Sequence, residues 1–354
     1  MPRTAVIFSP EYYKHDPGKD HPESAKRLSA IVKELKQGQL SRSRNWQFVK
    51  PDTAGVEEVR SVHKTKYIDH VRALCKSGGG LLDSGDTVVS PESYETALLA
   101  AGGALKATSL VIQRDYENSF ALVRPPGHHA SESSGLGFCV FNNVAIAAKH
   151  LLRKYGLERI LILDIDSHHG NGTQQVFFQT DRVLYVSLHE DPRGFPGTGF
   201  IKEVGEGLGR GYTVNIPLPL KTSDQIYLKA WEEIVTPISL QYKPQFILVS
   251  AGLDCHYADP VGQLSLSAFC YDEIFLSITS LASRLCKGRL ALILEGGYGV
   301  RFVGRIASAA IARLSQVKYQ LDDKVPMVPQ RLRDKGEEVI KQVKEVQKDY
   351  WNLN

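Results

Sequence analysis

The chain has 354 residues, 42% apolar and 23% charged, with a formal net charge of +4. That is enough chain for a large core, in one α/β domain or two smaller ones, and the composition is that of a globular protein rather than a disordered one. The basic residues form no long block, so direct nucleic-acid binding is not expected, and the mild excess charge does not indicate a substrate.

The five cysteines are scattered and never spaced Cys-x-x-Cys, which fits a reducing compartment better than a disulfide framework. The N-terminal apolar run, Ala5 to Phe8, is too short for a signal peptide, and no stretch is expected to reach transmembrane length. The expected location is cytoplasmic, or nuclear in a eukaryote, with no membrane partner. Oligomerisation is left open.

In chain order, Thr4 to Ser9 reads as a first strand, and Tyr12 to Pro22 as a polar loop carrying His15, Asp16 and His21. Glu23 to Leu35 has helical periodicity, with Leu28, Ile31, Val32 and Leu35 on one face. Two short helices are expected around His63 and Tyr67. A Gly/Ser-rich loop from Ser77 to Pro91 leads into a strong helix, Tyr94 to Ile112. Phe120 to Val123 is a short strand ending at Arg124-Pro-Pro-Gly-His128-His129. The stretch from Gly135 to Asn143 leads into a helix that ends near Tyr155.

Arg159 to Leu163 is almost wholly aliphatic without alternation, as expected of a central parallel strand covered on both faces. It runs into Asp164-Ile-Asp166-Ser-His168-His169-Gly170-Asn171-Gly172. Val183 to Leu188 is another buried strand, followed by the turn Phe195-Pro-Gly-Thr-Gly199. The glycine-rich segment Glu206 to Gly211 does not sit between a strand and a helix, so it is not a dinucleotide loop. Tyr227 to Leu240 is helical. Phe246 to Ser250 and Leu290 to Leu294 are strands, separated by a helix from Phe269 to Leu285. Val303 to Leu314 is helical, and a last amphipathic helix covers about 331–350.

Strands and helices alternate with no repeat and no break in composition. The fold class expected is α/β, a single domain over 1–354 with a central, mostly parallel sheet and helices on both faces.

The chemistry concentrates after the aliphatic strand. Asp164, Asp166 and His168 stand at i, i+2 and i+4, so an extended backbone points all three the same way. Two buried carboxylates side by side are costly unless cations compensate them. Carboxylate plus imidazole is a donor set for zinc or another first-row divalent ion. A lone Asp-x-Asp would suit a polar strand end, or magnesium phosphoryl transfer, equally well. The adjoining His168-His169 and three further polar clusters, each after a strand, turn the reading to a metal centre: His128-His129, Asp254 with Asp259, and Tyr298. Parallel sheets place ligands outside the carboxyl ends of their strands, where such clusters converge.

Arg124-Pro-Pro-Gly-His128-His129, Gly137-Phe138, Asp164-Ile-Asp166-Ser-His168-His169-Gly-Asn171-Gly, Phe195-Pro-Gly-Thr-Gly, Ala251-Gly-Leu-Asp254 with Asp259-Pro260, and Leu294-Glu-Gly-Gly-Tyr298 together resemble the zinc-dependent histone deacetylase family, with its arginase/deacetylase fold. Asn171 and the Leu-Glu-Gly-Gly-Tyr form resemble its class II and acetylpolyamine-amidohydrolase branch.

The resemblance implies that Asp166, His168 and Asp259 hold zinc, with ferrous iron as the alternative, leaving room for water and a substrate carbonyl. Asp259 is preferred because Asp259-Pro260 matches the family's Asp-Pro, although spacing does not exclude Asp254. His129 would be the proton acceptor, charging less readily than in the class I branch because Asn171 stands where that branch has Asp, and His128 paired with Asp164 would tune charge beside it. Tyr298 would donate to the oxyanion. Gly137, Phe138 and Phe195 would line a substrate tunnel. Potassium is implied at the Asp164 and Ser187 side chains with main-chain oxygens of Asp166, His168 and Leu188. Arg27 matches the arginine of an internal cavity, and Ser90 is the nearest candidate for a polar rim residue.

The function expected is removal of acetyl or related acyl groups from lysine side chains of proteins or peptides. The alternative is deacetylation of polyamines or other small acetylated amines, which acidic residues at the mouth would favour. Asp83, Asp86 and Glu92 lie in the appropriate loop. A silent acyl-lysine-binding module is a remote third reading, opposed by the presence of His129 and Tyr298.

Overall fold

The computed structural model describes residues 3–353. Its strands are β1 (Thr4–Ile7), β2 (Trp46–Val49), β3 (Gly80–Leu81), β4 (Val88–Val89), β5 (Asn118–Ala121), β6 (Ile160–Asp164), β7 (Val183–Glu190), β8 (Thr213–Leu218), β9 (Phe246–Ala251) and β10 (Leu290–Leu294). Eight of them form one sheet in the order β2-β1-β5-β10-β9-β6-β7-β8, every neighbouring pair parallel. β3 and β4 form a separate hairpin.

Helices cover both faces. Lys26–Gln37, Val303–Ser315 and Ala268–Cys286 pack side by side in one layer, and Ser93–Ile112 packs on Asn143–Lys154 in the other. This is the α/β architecture expected from the alternation of elements. Every residue of β5, β6, β7, β9 and β10 is buried. In β6 the aliphatic run Ile160 to Leu163 contributes roughly 6–12 kcal/mol relative to exposure. That anchors a strand whose carboxyl end carries buried acids.

The Ser93–Ile112 helix is long and apolar enough to cross a membrane, contrary to the expectation that no stretch would be. It belongs to the core instead: its Ala97, Ala100, Ala101 and Ala104 are buried, and it packs on β1, β5 and β10. Gly102 lets the segment after β2 run close against this helix, since a Cβ there would lie 1.8 Å from Asp52 O.

The edge strands β2 and β8 escape the sequence pattern. β2 is four residues long and only partly buried. β8 carries Asn215 and Pro217, residues that disfavour a strand except at an edge. The final helix, Gln330–Gln347, covers that edge, and Gln347 Nε2 donates to Thr213 O at 3.3 Å.

Candidate active site

The four central strands β5, β10, β9 and β6 are adjacent, and each delivers a polar cluster from its carboxyl end. Asp164 is the last residue of β6, and Asp166 and His168 follow it. Asp254 follows β9, Glu295 and Tyr298 follow β10, and the His128-His129 loop follows β5.

His168 Nδ1 lies 3.3 Å from Asp166 Oδ1 and 3.2 Å from Asp254 Oδ2. One oxygen or nitrogen from each of the three residues falls within 4.8 Å of the others. A tetrahedral ion with donors at about 2.0–2.1 Å spaces them about 3.3 Å apart. Asp254 Oδ2 is buried with no hydrogen-bond partner among the described residues, an orphan that an ion would satisfy. Burial and the neighbouring Asp166 push the Asp254 carboxyl up to about 7, as expected where two acids share one dry site. The donor set and its spacing fit a first-row divalent ion.

The expectation that Asp259 is the third donor is therefore corrected to Asp254. Asp259 Oδ1 accepts the N–H groups of Val261 and Gly262, and Oδ2 those of Tyr298 and Gly299. Its oxygens are committed to backbone, and it folds the loops on which Tyr298 rides.

Glycines make the close packing possible. A Cβ at Gly252 would lie 2.3 Å from Asp166 Oδ2, and one at Gly296 2.5 Å from Asp254 Oδ2. The Gly296 N–H instead donates to Asp166 Oδ2 at 2.8 Å.

The two histidines of the β5 loop are shifted in opposite directions. His128 Nδ1 is 3.1 Å from Asp164 Oδ2 and its Nε2 is 3.7 Å from Asp166 Oδ1. Burial alone would lower His128, but Asp166 and Asp164 outweigh it and raise it to about 10. His129 is held well below the usual histidine range by burial and then by charged His128. His129 Nδ1 donates to Asn171 Oδ1 at 2.8 Å, which leaves Nε2 as an acceptor. Glu295 fixes this loop through Oε2, which accepts the N–H groups of Gly127 and His128 at 2.7 and 3.1 Å. Nothing in the sequence singled out Glu295; its signal is a carboxylate directly after a buried strand.

Tyr298 is 8% exposed, and burial holds its hydroxyl protonated, well above the usual tyrosine range. The Arg27 guanidinium lies 4.8 Å from its ring centroid. Arg27 also donates to Gly297 O, to Glu295 O and to Glu23 Oε1, and Glu23 pairs with buried Arg124 as well. Arg27 thus backs the tyrosine loop from inside the core.

Phe195 stands edge-on to His129 at 5.0 Å and to His168 at 5.8 Å, and Phe138 edge-on to Tyr298 at 5.6 Å. Gly137, at φ +53°, lies between the walls: a Cβ there would meet His129 Cδ2 at 2.6 Å and Phe195 Cζ at 2.9 Å. The residues expected to line the tunnel thus lie beside His129, His168 and Tyr298.

Ser90, the expected rim residue, is engaged within its own loop. Its hydroxyl sits 3.0 Å from Ser93 Oγ and accepts the Asp16 N–H, so it closes a loop contact beside buried His15. The Asp86 carbonyl accepts from His21 Nε2 at 3.1 Å, and the His21 ring packs on Phe138 at 4.6 Å. Asp83 is consumed by its own loop, accepting from Gly85 N, Thr87 N and Thr87 Oγ1.

Asp164 and Ser187 are paired across β6 and β7. Asp164 Oδ2 also accepts from Tyr185 OH at 3.0 Å, and Ser187 Oγ lies 2.7 Å from His189 Nδ1.

Comparison with known proteins agrees with this geometry. Residues 21–314 match the model of the histone deacetylase domain. The chain is 42% identical to a probable deacetylase of Archaeoglobus fulgidus over 98% of both chains. It is 34% identical to the histone deacetylase-like amidohydrolase of Pseudomonas aeruginosa, over 86% of this chain and 78% of that one. It is 36% identical to histone deacetylase HDA1 of Saccharomyces cerevisiae, over 98% of this chain and 51% of that one. The crystal structure of the HDA15 HD domain superposes with a TM-score of 0.87 at 32% identity, covering 98% of this chain and 96% of that one. The chain belongs to the histone deacetylase family.

Proposed function

We propose that this chain is a zinc-dependent amidohydrolase that removes acetyl groups from lysine side chains of proteins or peptides. The observation that carries the reading is the orphaned Asp254 Oδ2, set 3.2 Å from His168 Nδ1 beside a neutral histidine and a protonated tyrosine. Asp166, His168 and Asp254 would hold the ion, and the same donors would accept ferrous iron. Zinc would acidify a bound water and polarise the substrate amide.

The protein supplies the rest. Phe138, Phe195 and Gly137 hold the acyl-lysine stem in line and keep bulk water out. His129 Nε2 accepts the proton of the attacking water. His128, charged and locked to Asp164, keeps His129 from charging before that step. After attack His129 returns a proton to the leaving amine. The Tyr298 hydroxyl donates to the oxygen that gains charge, a contact worth about 2.7–4 kcal/mol where comparable donors have been removed.

Potassium would lie where Asp164 and Ser187 face each other, with main-chain oxygens of Asp166, His168 and Leu188. It would offset the charge of the buried carboxylates. Lysine is favoured over polyamine because Asp83, one of the acids expected to draw a polycation, is turned into its own loop. A polycation would call for several.

The test is turnover of acetyl-lysine peptides against acetylated polyamines, before and after chelation and after zinc is restored. Peptide hydrolysis lost on chelation and recovered with zinc is the expected result. Preference for the polyamines would overturn the substrate assignment, and activity indifferent to chelation would overturn the metal.

A further inference from the structure

Positive charge collects at the end of the sheet away from the metal donors. β1, β5 and β10 are neighbours, and they start in register at Thr4, Asn118 and Leu290. Arg3, Glu117 and Arg289 directly precede them and so stand level, side by side. The helices Ser93–Ile112, Ala268–Cys286 and Val303–Ser315 end around them. Together these ends wall a groove of about 1690 Å³. Its lining carries seven Arg and Lys against three Asp and Glu, an excess of four positive charges. That equals the formal net charge of the whole chain. No basic run marks the groove in the sequence, because the fold gathers its cations from positions as far apart as Arg3 and Lys318.

The lining does not neutralise itself. Arg3 Nη2 pairs with Glu117 Oε2 at 2.5 Å, and Arg313 pairs with Asp272. Arg114, Arg284, Lys287, Arg289 and Lys318 form no ion pair among the described residues, and Asp115 is the one acid of the groove left over. Among the described residues only two buried side-chain nitrogens lack a hydrogen-bond partner, Arg3 Nε and Arg289 Nε, and both line this groove. A buried N–H without an acceptor is costly, and a bound anion would supply one. Helix carboxyl ends also attract cations, but these three are closed by backbone. The N–H groups of Asp115, Gly288 and Val317 donate to Leu110 O, Ala282 O and Ala312 O, each at 2.9 Å.

We propose that this groove binds a compact polyanion of linked phosphates, either an oligophosphate or the triphosphate of a nucleotide. A guanidinium fork matches phosphate oxygens two at a time. A chain of phosphates brings several negative charges to several unpaired cations, whereas a single carboxylate would leave most of them unmatched. The strands run from the groove toward the metal donors, so its occupant does not share the substrate's site. The assignment is independent of the deacetylase reading.

Isothermal titration calorimetry with sodium tripolyphosphate and with ATP is the test. Saturable one-to-one binding of either, weakened by added salt, is expected, and the tighter of the two identifies the source. The Nε–H resonances of Arg3 and Arg289 should shift in ¹H–¹⁵N spectra as tripolyphosphate is added. Arg289→Gln should weaken binding at least about tenfold, the order of one hydrogen bond to a charged group. Lys287 is exposed, so Lys287→Gln should fold; it should bind measurably more weakly, which keeps the test open if Arg289→Gln fails to fold. Lys335→Gln, an exposed change on the final helix and outside the groove, should bind as the wild type does. No saturable binding, an unmoved Arg289 Nε–H resonance, wild-type affinity in Arg289→Gln or Lys287→Gln, or an equal loss in Lys335→Gln would each overturn the site. Tighter binding of a short single-stranded oligonucleotide than of either probe would overturn the small-molecule assignment in favour of nucleic acid.

Discussion

Asp259 Oδ2 accepts the backbone N–H of Tyr298 at 2.7 Å, and so ties the loop after β9 to the loop after β10. The same oxygen takes the Gly299 N–H at 2.8 Å. Tyr298 owes its place over the metal donors to this carboxylate as much as to its own strand.

Asp254 and Asp259 should accordingly fail in different ways. Asp254→Asn removes a donor atom and should weaken zinc by more than the roughly 10–100-fold that losing an outer partner costs. Asp259→Asn should retain zinc, because no Asp259 oxygen is free for an ion. It should lose turnover, because an amide offers one acceptor oxygen where four backbone N–H groups now converge on two. Zinc content by elemental analysis beside peptide turnover checks both. Zinc loss in Asp259→Asn with retention in Asp254→Asn would restore the ligand set expected from the sequence.

Tyr298→Phe deletes one hydroxyl and leaves the ring between Arg27 and Phe138. Zinc content and folding should be unchanged, since the ring contacts at 4.8 and 5.6 Å do not involve the oxygen. Turnover should fall by about 10²–10³, the cost of one lost oxyanion donor. Substrate affinity measured on the inactive variant should change little. An enzyme that keeps full turnover would remove Tyr298 from the chemistry.

Much of this centre is legible in the sequence, for a physical reason. A buried parallel strand is an uninterrupted aliphatic run, and a polar residue right after one sits at the sheet's carboxyl end, as at Asp164, Asp254 and Tyr298. What spacing cannot resolve is direction within a loop. Asp254 and Asp259 both lie after β9, and only the fold shows one facing His168 and the other facing backbone. The direction of the Ser90 hydroxyl is equally illegible: it lies 3.0 Å from Ser93 Oγ. The edge strands are illegible because β2 is short and only partly buried and Asn215 and Pro217 interrupt the aliphatic run of β8.

Gly137→Ala tests the tunnel. The residue sits at φ +53°, and a Cβ would fall 2.6 Å from His129 Cδ2 and 2.9 Å from Phe195 Cζ. Those two rings must move, and they are the proposed base and a proposed tunnel wall. Turnover on acetyl-lysine peptides should drop at least tenfold, on the order of the 1–3 kcal/mol that overpacking costs, with zinc retained. An unaltered kcat/KM would mean that the tunnel does not run between these residues.

His63 provides a pH test away from the metal. It is buried, its Nδ1–H donates to Ser131 O at 2.7 Å, and its Nε2 accepts the Asn142 N–H at 2.8 Å. Asn142 in turn caps the Asn143–Lys154 helix. Protonation of Nε2 would break the contact to that cap. Burial lowers His63 to about 4, while the unfolded chain titrates at its ordinary value of 6.5. Between those values the unfolded state binds the extra proton. Stability is therefore full above about pH 6.5 and falls as the pH drops toward 4, by on the order of 3 kcal/mol for this residue. Urea unfolding of the wild-type protein should show that decline. His63→Gln should show a shallower one in the same window, by up to about 1.4 kcal/mol per pH unit, whatever its stability at neutral pH. Parallel curves would shift the acid sensitivity to His15 and His189, which burial also lowers to about 4.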